Sequence, residues 1–325
     1  MNRNLLILPL IVLFVSCQNE QVSPSQTFTN LKIDSLQTLN TNIPHDGYTD
    51  LTFVNENVGY AVSVNGRIVK TTNAGLQWQQ LELLGFYLSK VQFVDEQTGF
   101  IAGGDSEFFL LNSTDGGTHW TTTKLNGVTN NVITGMYFLN KEVGFVCGNL
   151  SLQKTSDGGK NFVEVMKGEF TDLKFKNNLE GVATSLQGVY YKTRDGGASW
   201  QRIQSVTDQH ISQVYFVNDK NYIQNGDKLI NINTNQVIQI PSGAKKLLFL
   251  SNERCIGIGQ EYESQGFFPF GYIYLTNNNW SDFEKRKYQP SSEAKDFRAI
   301  AKVNSHKTLI LGSGQIQTLV VQLNY

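Results

Sequence analysis

Thr71-Thr-Asn73-Ala-Gly75-Leu-Gln-Trp78 returns three times along the chain: as Ser113-Thr-Asp115-Gly-Gly117-Thr-His-Trp120, as Thr155-Ser-Asp157-Gly-Gly159-Lys-Asn-Phe162 and as Thr193-Arg-Asp195-Gly-Gly197-Ala-Ser-Trp200. The shared pattern is Ser/Thr-x-Asp/Asn-x-Gly-x-x-aromatic, and its third positions (73, 115, 157 and 195) lie 42, 42 and 38 residues apart. A period of this size marks a repeat architecture in which each unit is one supersecondary element that cannot bury its apolar face alone.

A second phrase, Phe-x-Asn/Asp-x-x-x-Gly-aromatic, runs ahead of each copy. It reads Phe53-Val-Asn55 to Gly59-Tyr60, Phe93-Val-Asp95 to Gly99-Phe100, and Phe138-Leu-Asn140 to Gly144-Phe145. Weaker copies follow at Phe175 to Gly181-Val182, Phe216 to Tyr222 and Phe249 to Cys255, with a degenerate seventh at Ile300 to Leu309. Apolar residues alternate inside a unit (Leu51, Phe53; Tyr60, Val62, Val64), the period of a half-buried strand. The first unit therefore reads as four strands, about 49 to 54, 58 to 64, 67 to 72 and 78 to 83, with Asn65-Gly66 as a hairpin signal.

Four antiparallel strands recurring about every 40 residues describe a β-propeller blade, and the count of units predicts an all-β, seven-bladed propeller over residues 31–325. The fifth unit has a plain Asn233-Thr-Asn235 turn. The sixth keeps a remnant at Thr276 to Trp280, with Asn277 82 residues after Asp195. The last unit supplies strands at about 297 to 303, 307 to 312 and 316 to 323. Residues 31–39, with Leu31, Ile33, Leu36 and Leu39 inward, are expected to supply its fourth strand and close the ring.

In the repeated phrase the side chains of Asn73, Asp115, Asp157 and Asp195 accept backbone N–H bonds, as Asx turns do. Gly75, Gly117, Gly159 and Gly197 permit positive φ, and Trp78, Trp120, Phe162 and Trp200 are placed to plug the space between blades. One carboxylate per turn is too few for the six to eight oxygens of a calcium ion, so the phrase is read as structural and no metal site is expected. No cofactor motif is present: the three cysteines (Cys17, Cys147, Cys255) form no Cys-x-x-Cys and the four histidines are scattered. Cys147 and Cys255 are expected to be buried free thiols.

The formal net charge is −1, or −2 without Arg3, which leaves no field to gather phosphates; nucleic-acid binding is not expected. Lys285-Arg286-Lys287 reads as a solvated loop. At the start, Asn2-Arg3-Asn4 and the eleven-residue apolar run Leu5 to Val15 form a signal peptide (residues 1–16), too short to span a hydrocarbon core of about 30 Å. Phe14-Val15-Ser16-Cys17 resembles a bacterial lipobox, with Phe14 in place of the usual Leu. The resemblance implies lipidation of Cys17, and polar residues 17–30 then serve as a flexible tether.

The repeated phrase resembles the Asp-box, or bacterial neuraminidase repeat. Together with the Phe-x-Asn/Asp phrase it resembles more closely the photosystem II stability and assembly factor family, whose non-photosynthetic relatives are exported bacterial proteins. The resemblance implies fold more than function, because propellers host unrelated activities. A sialidase would need an Arg triad introduced by Arg-Ile-Pro. This chain has Arg67-Ile68-Val69 on an expected third strand and six arginines after the leader. A two-propeller endoglucanase would need a second propeller, for which 325 residues leave no room.

The expected function is therefore a non-enzymatic, lipid-anchored binding or assembly scaffold of the cell envelope, at the outer membrane, with an envelope protein as partner. The alternative is a glycan-binding or sialidase-like glycoside hydrolase. The candidate binding rim lies opposite the repeated turns, in the long connection of the sixth unit (Tyr262, Phe267, Phe268, Phe270) with Asp105 and Glu107 nearby. The aromatic connection is either a packed plug over the channel or an exposed binding surface.

Overall fold

A computed structural model describes residues 35–186, 188–205, 210–262, 269–287, 296–313 and 318–325. The expected leader, Cys17, the tether, and Phe267 and Phe268 lie outside the described residues. So do Leu31 and Ile33.

The described residues form seven four-stranded antiparallel sheets and no helix. Blade 1 comprises Tyr48–Phe53, Gly59–Ser63, Arg67–Thr71 and Gln79–Leu83, paired in that order from the centre outward. Blades 2 to 6 repeat this order, starting with inner strands Leu88–Phe93, Gly135–Phe138, Phe170–Phe175, Gln213–Val217 and Ala244–Phe249. In the seventh sheet, Asp296–Asn304, Lys307–Ser313 and Thr318–Asn324 are joined by Ser35–Thr38 from the other end of the described chain. Ser35 faces Asn324 and Thr38 faces Val321, and Leu39 N–H donates to Val320 O at 2.8 Å.

The core is divided among the seams between blades, with one apolar cluster at each of seven seams. The two sequence phrases build these seams together. The aromatic of one blade's second strand stacks on the Phe of the next blade's inner strand: Tyr60 on Phe93 at 3.7 Å between ring centroids, Phe100 on Phe138 at 3.4 Å, Phe145 on Phe175 at 4.9 Å. The aromatic of the repeated turn then closes the seam edge-on, Trp120 to Phe93 at 6.1 Å and Trp200 to Phe145 at 6.2 Å. Such pairs add about 1 kcal/mol each to the burial of the rings. The phrase glycine is explained by close approach within its own blade: a Cβ on Gly99 would lie 2.4 Å from the Phe93 ring.

Asp157 Oδ1 accepts from the N–H of Lys160 and of Asn161, each at 3.0 Å, and Thr155 Oγ1 accepts from Gly159 N–H at 2.9 Å. Gly159 has φ +87°, and a Cβ there would meet Leu110 of the preceding blade at 2.1 Å.

Two sequence expectations are corrected. In the sixth unit the residue in the aspartate position is Asn278, not Asn277: its Oδ1 accepts from Asp282 N–H at 2.9 Å, and Thr276 Oγ1 accepts from Trp280 N–H at 3.0 Å. Trp280 therefore occupies the glycine position, at φ +68°. The one-residue shift comes from placing the unit by its spacing from Asp195, whereas the hydroxyl and the side-chain carbonyl set the turn. Lys285-Arg286-Lys287 is part of the outer strand Glu284–Lys287 rather than a loop, because Lys285 pairs with Glu261 at 2.5 Å and Lys287 lies over the Phe270 ring at 3.6 Å.

Candidate binding site at the channel mouth

An innermost strand has no sheet partner on its axial side, so its N–H and C=O groups need other satisfaction. Side chains from the preceding blade supply it. Asp50 accepts from Val91 N–H at 3.1 Å and Asp172 from Val214 N–H at 3.0 Å. Thr49 donates to Leu88 O at 2.6 Å, Thr134 to Phe170 O at 2.8 Å and Thr171 to Ile211 O at 2.6 Å.

Five inner strands carry a register shift near their start, at Tyr48/Asp50, Leu88/Lys90, Phe170/Asp172, Ala244/Lys246 and Phe297/Ala299. A bulge re-aims side chains and is common beside sites. Here the bulge residues Thr49, Ser89, Thr171, Lys245 and Arg298 all line one cavity of about 460 Å³ that takes residues from every blade. Among the described residues its lining includes four cations, Lys90, Lys245, Lys246 and Arg298, and no carboxylate.

Acidic groups stand beside the cavity lining. Lys246 Nζ donates to Asp50 Oδ1 at 3.0 Å, and Lys174 Nζ lies 3.8 Å from Asp172 Oδ2 and 5.0 Å from the Tyr215 ring centroid. Burial pushes the Asp50 carboxyl up, but the charges of Lys246 and Lys90 and the bonds from Lys246 and Val91 outweigh it and hold the group below the usual carboxylate range. Burial, opposed by Asp172, draws the Lys174 ammonium below its ordinary value. The arrangement offers directed positive charge and amide-like partners at the open end of the channel; among the described residues no cluster of His, Cys, Asp and Glu is placed to hold a metal ion.

The rim residues expected from the sequence fall around this mouth unevenly. Exposed Asp105 accepts from Tyr87 N–H at 3.2 Å, and Tyr87 itself lines the cavity. Glu107 pairs with Lys124. The long connection of the sixth unit is mostly a hairpin: Cys255–Tyr262 pairs with Pro269–Thr276 up to Tyr262 facing Pro269. Phe270 packs half-buried against the apolar cluster between blades 5 and 6. The four cations were missed. Lys90 and Lys246 each sit three residues before the Phe of the second phrase, in the column of Asp50 and Asp172. Reading that column across the repeats would have found these two.

A model of the family described as photosynthesis system II assembly factor YCF48 matches residues 29–230, well over half of the chain. The chain belongs to this family. The photosystem II assembly lipoprotein Ycf48 of Synechococcus sp. (strain CC9902) is 30% identical over 185 residues, which is 53% of this chain and 54% of that protein. The chain thus spans about half the length of the curated relatives it matches. A solved structure titled YCF48 bound to D1 peptide superposes with a TM-score of 0.65 at 17% identity, covering 90% of this chain and 96% of that one. The GH74 xyloglucanase from Xanthomonas campestris superposes with a TM-score of 0.68 at 11% identity, over 88% of this chain and 53% of that one. At these identities the two superpositions speak for the fold alone, and the YCF48 assignment rests on the family match.

Proposed function

We propose that this YCF48-family propeller is a non-enzymatic assembly scaffold that holds an extended, acidic segment of a protein partner at the channel mouth. The observation that carries the reading is that four cations, one of them paired with Asp50 behind the wall, and no carboxylate line the cavity among the described residues, in a chain whose overall charge is −1. Concentrated charge of one sign in a concave site steers and orients an oppositely charged segment. That a YCF48 structure is titled as bound to a D1 peptide agrees with a peptide ligand, as the relatives' name, assembly lipoprotein, agrees with a scaffold. The finer reading follows the sequence: Cys17 is lipidated, residues 17–30 form the tether, and the propeller works at a membrane face outside the cytoplasm, within the cell envelope.

The sequence candidates Tyr262, Phe267, Phe268 and Phe270 are proposed to supply apolar contacts to the partner. A glycan hydrolase is disfavoured because Arg298 is the one arginine among the described lining residues, and Arg67 is engaged by Asp46 at 3.1 Å. The test is capture by the lipidated protein in solubilised membranes: Lys90→Gln with Arg298→Gln should lose the partner that the unaltered protein retains. Equal capture by both would reject the mouth as the binding site.

A further inference from the structure

The seam between blades 4 and 5 differs from the three before it. Val182 stands where Tyr60, Phe100 and Phe145 stand in blades 1 to 3, and blade 5 lacks the repeated turn with its aromatic. The volume that two rings fill elsewhere is left as a gap of about 80 Å³. Lys176, Glu180, Lys192 and Arg194 from blade 4 and Asn221 and Asn233 from blade 5 are among the residues lining it. Lys176 and Glu180 belong to the loop after the inner strand, Arg194 and Asn233 to the turns after the third strands, and Lys192 and Asn221 to the strand ends beside them, so the gap opens on the face of the repeated turns, away from the channel mouth.

Three features of the gap point to a ligand. Lys192 repeats a seam contact: Lys70 and Lys154 donate to Gly116 O at 2.8 Å and Gly196 O at 3.1 Å on the next blade's turn, and Lys192 donates to Ile232 O at 3.2 Å. Exposed Lys176 and Arg194 add two further charges against the single carboxylate of Glu180, which accepts from Asn177 at 3.3 Å. Burial, with the like charge of Arg194, holds Lys192 below its ordinary pKa, a cost that a bound anion would relieve. Finally, Asn221 Oδ1 is buried at the gap with no hydrogen-bond partner, and such an atom calls for a donor.

We propose that the gap is a site for a phosphate group, its unprotonated oxygens facing Lys192, Arg194 and Lys176 and its P–OH donating to Asn221 Oδ1. Charge-assisted bonds to a tetrahedral oxyanion suit one guanidinium and two ammonium groups. The P–OH separates hydrogen phosphate from sulfate, which carries no proton at neutral pH. The ligand is either free phosphate or a phosphorylated side chain taken in its singly protonated form, which is the minor form above a second pKa of about 6.

The test is calorimetric titration of the protein at pH 6.5 to 7 with inorganic phosphate, sodium sulfate and a short phosphoserine peptide. One saturable site for phosphate is expected, with sulfate weaker by about tenfold and Arg194→Gln weakening phosphate by about tenfold. Lys90→Gln, in the channel, should leave this binding unchanged, which keeps the result separate from the peptide reading above. A peptide bound about tenfold more tightly than free phosphate would assign the site to a phosphorylated side chain; equal or weaker peptide binding would assign it to the free ion. No phosphate or phosphopeptide binding up to about 10 mM, equal affinity for sulfate, or binding indifferent to Arg194→Gln but lost in Lys90→Gln would overturn the proposal.

Discussion

Lys246 Nζ meets Asp50 Oδ1 at 3.0 Å, joining the inner strands of blades 6 and 1 past blade 7, where the matching residue after the bulge is Ala299. A methyl group at that position leaves room for the lysine to pass. Both side chains are mostly shielded, at 29% and 18% exposure. Removing the ammonium leaves a carboxylate with one fewer charged partner, so Lys246→Met should cost about 2 kcal/mol at pH 7. The folded Asp50 carboxyl is held low, so its contribution is present above the unfolded carboxylate pKa and is lost as pH falls through the folded value. Urea denaturation should show the difference between the unaltered protein and Lys246→Met narrowing below about pH 4; a gap independent of pH would contradict the charge pairing.

The repeated turns make a separate acid prediction. Hydrogen bonds from Asn161 and Thr155 side chains and the Asn161 N–H hold Asp157 at about 2, and those from Ser199 and Thr193 do the same for Asp195. Stability from these turns is thus present above about pH 4 and lost toward pH 2. Asn73 already serves in the first turn, its Oδ1 accepting from Gln77 N–H at 2.8 Å. Asp157→Asn should accordingly melt close to the unaltered protein at pH 7 while Asp157→Ala melts lower, and the order is read by thermal scans.

Seam aromatics should dominate stability. Phe100 and Phe138 are nearly fully buried and stacked at 3.4 Å. Phe100→Ala is expected to cost about 3–5 kcal/mol. Val182→Ala, at a seam with no stack, should cost about 1–2 kcal/mol, the loss of two methyl groups. Equal losses at both positions, measured by chemical denaturation, would contradict the seam description.

For the end of the chain that joins the seventh sheet, we propose that Ser35–Thr38 completes the ring. A protein beginning at Asp46 should then unfold at a clearly lower temperature than one beginning at residue 31. Identical melting would remove that role.

The blade count and the turns were legible because each rests on local chemistry: a hydroxyl, an aspartate and a glycine within five residues, and an aromatic at fixed distance. The register slipped in the sixth unit because spacing from Asp195 points to Asn277, whereas the Thr276 hydroxyl two residues before Asn278 sets the turn. Lys90, Lys245, Lys246 and Arg298 were not legible as a group, since they are up to 208 residues apart and are gathered only by the circular arrangement of inner strands. The rim aromatics drew attention through composition, whereas the bulges that aim the cations into the channel show only in the pairing of strands. The empty fourth seam was half visible, as Val182 and as the missing fifth turn, but its meaning required knowing that both residues meet in one place.

The central claim is that the channel mouth receives an acidic segment. The most direct measurement is fluorescence-anisotropy titration of the propeller with an extended anionic peptide and with its cationic counterpart, at two salt concentrations. The account predicts salt-sensitive binding of the anionic peptide alone, weakened about tenfold or more by combining Lys90→Gln, Lys245→Gln and Arg298→Gln with no change in melting temperature. Failure of the unaltered protein to bind the anionic peptide, or equal affinity in the triple variant, would contradict it.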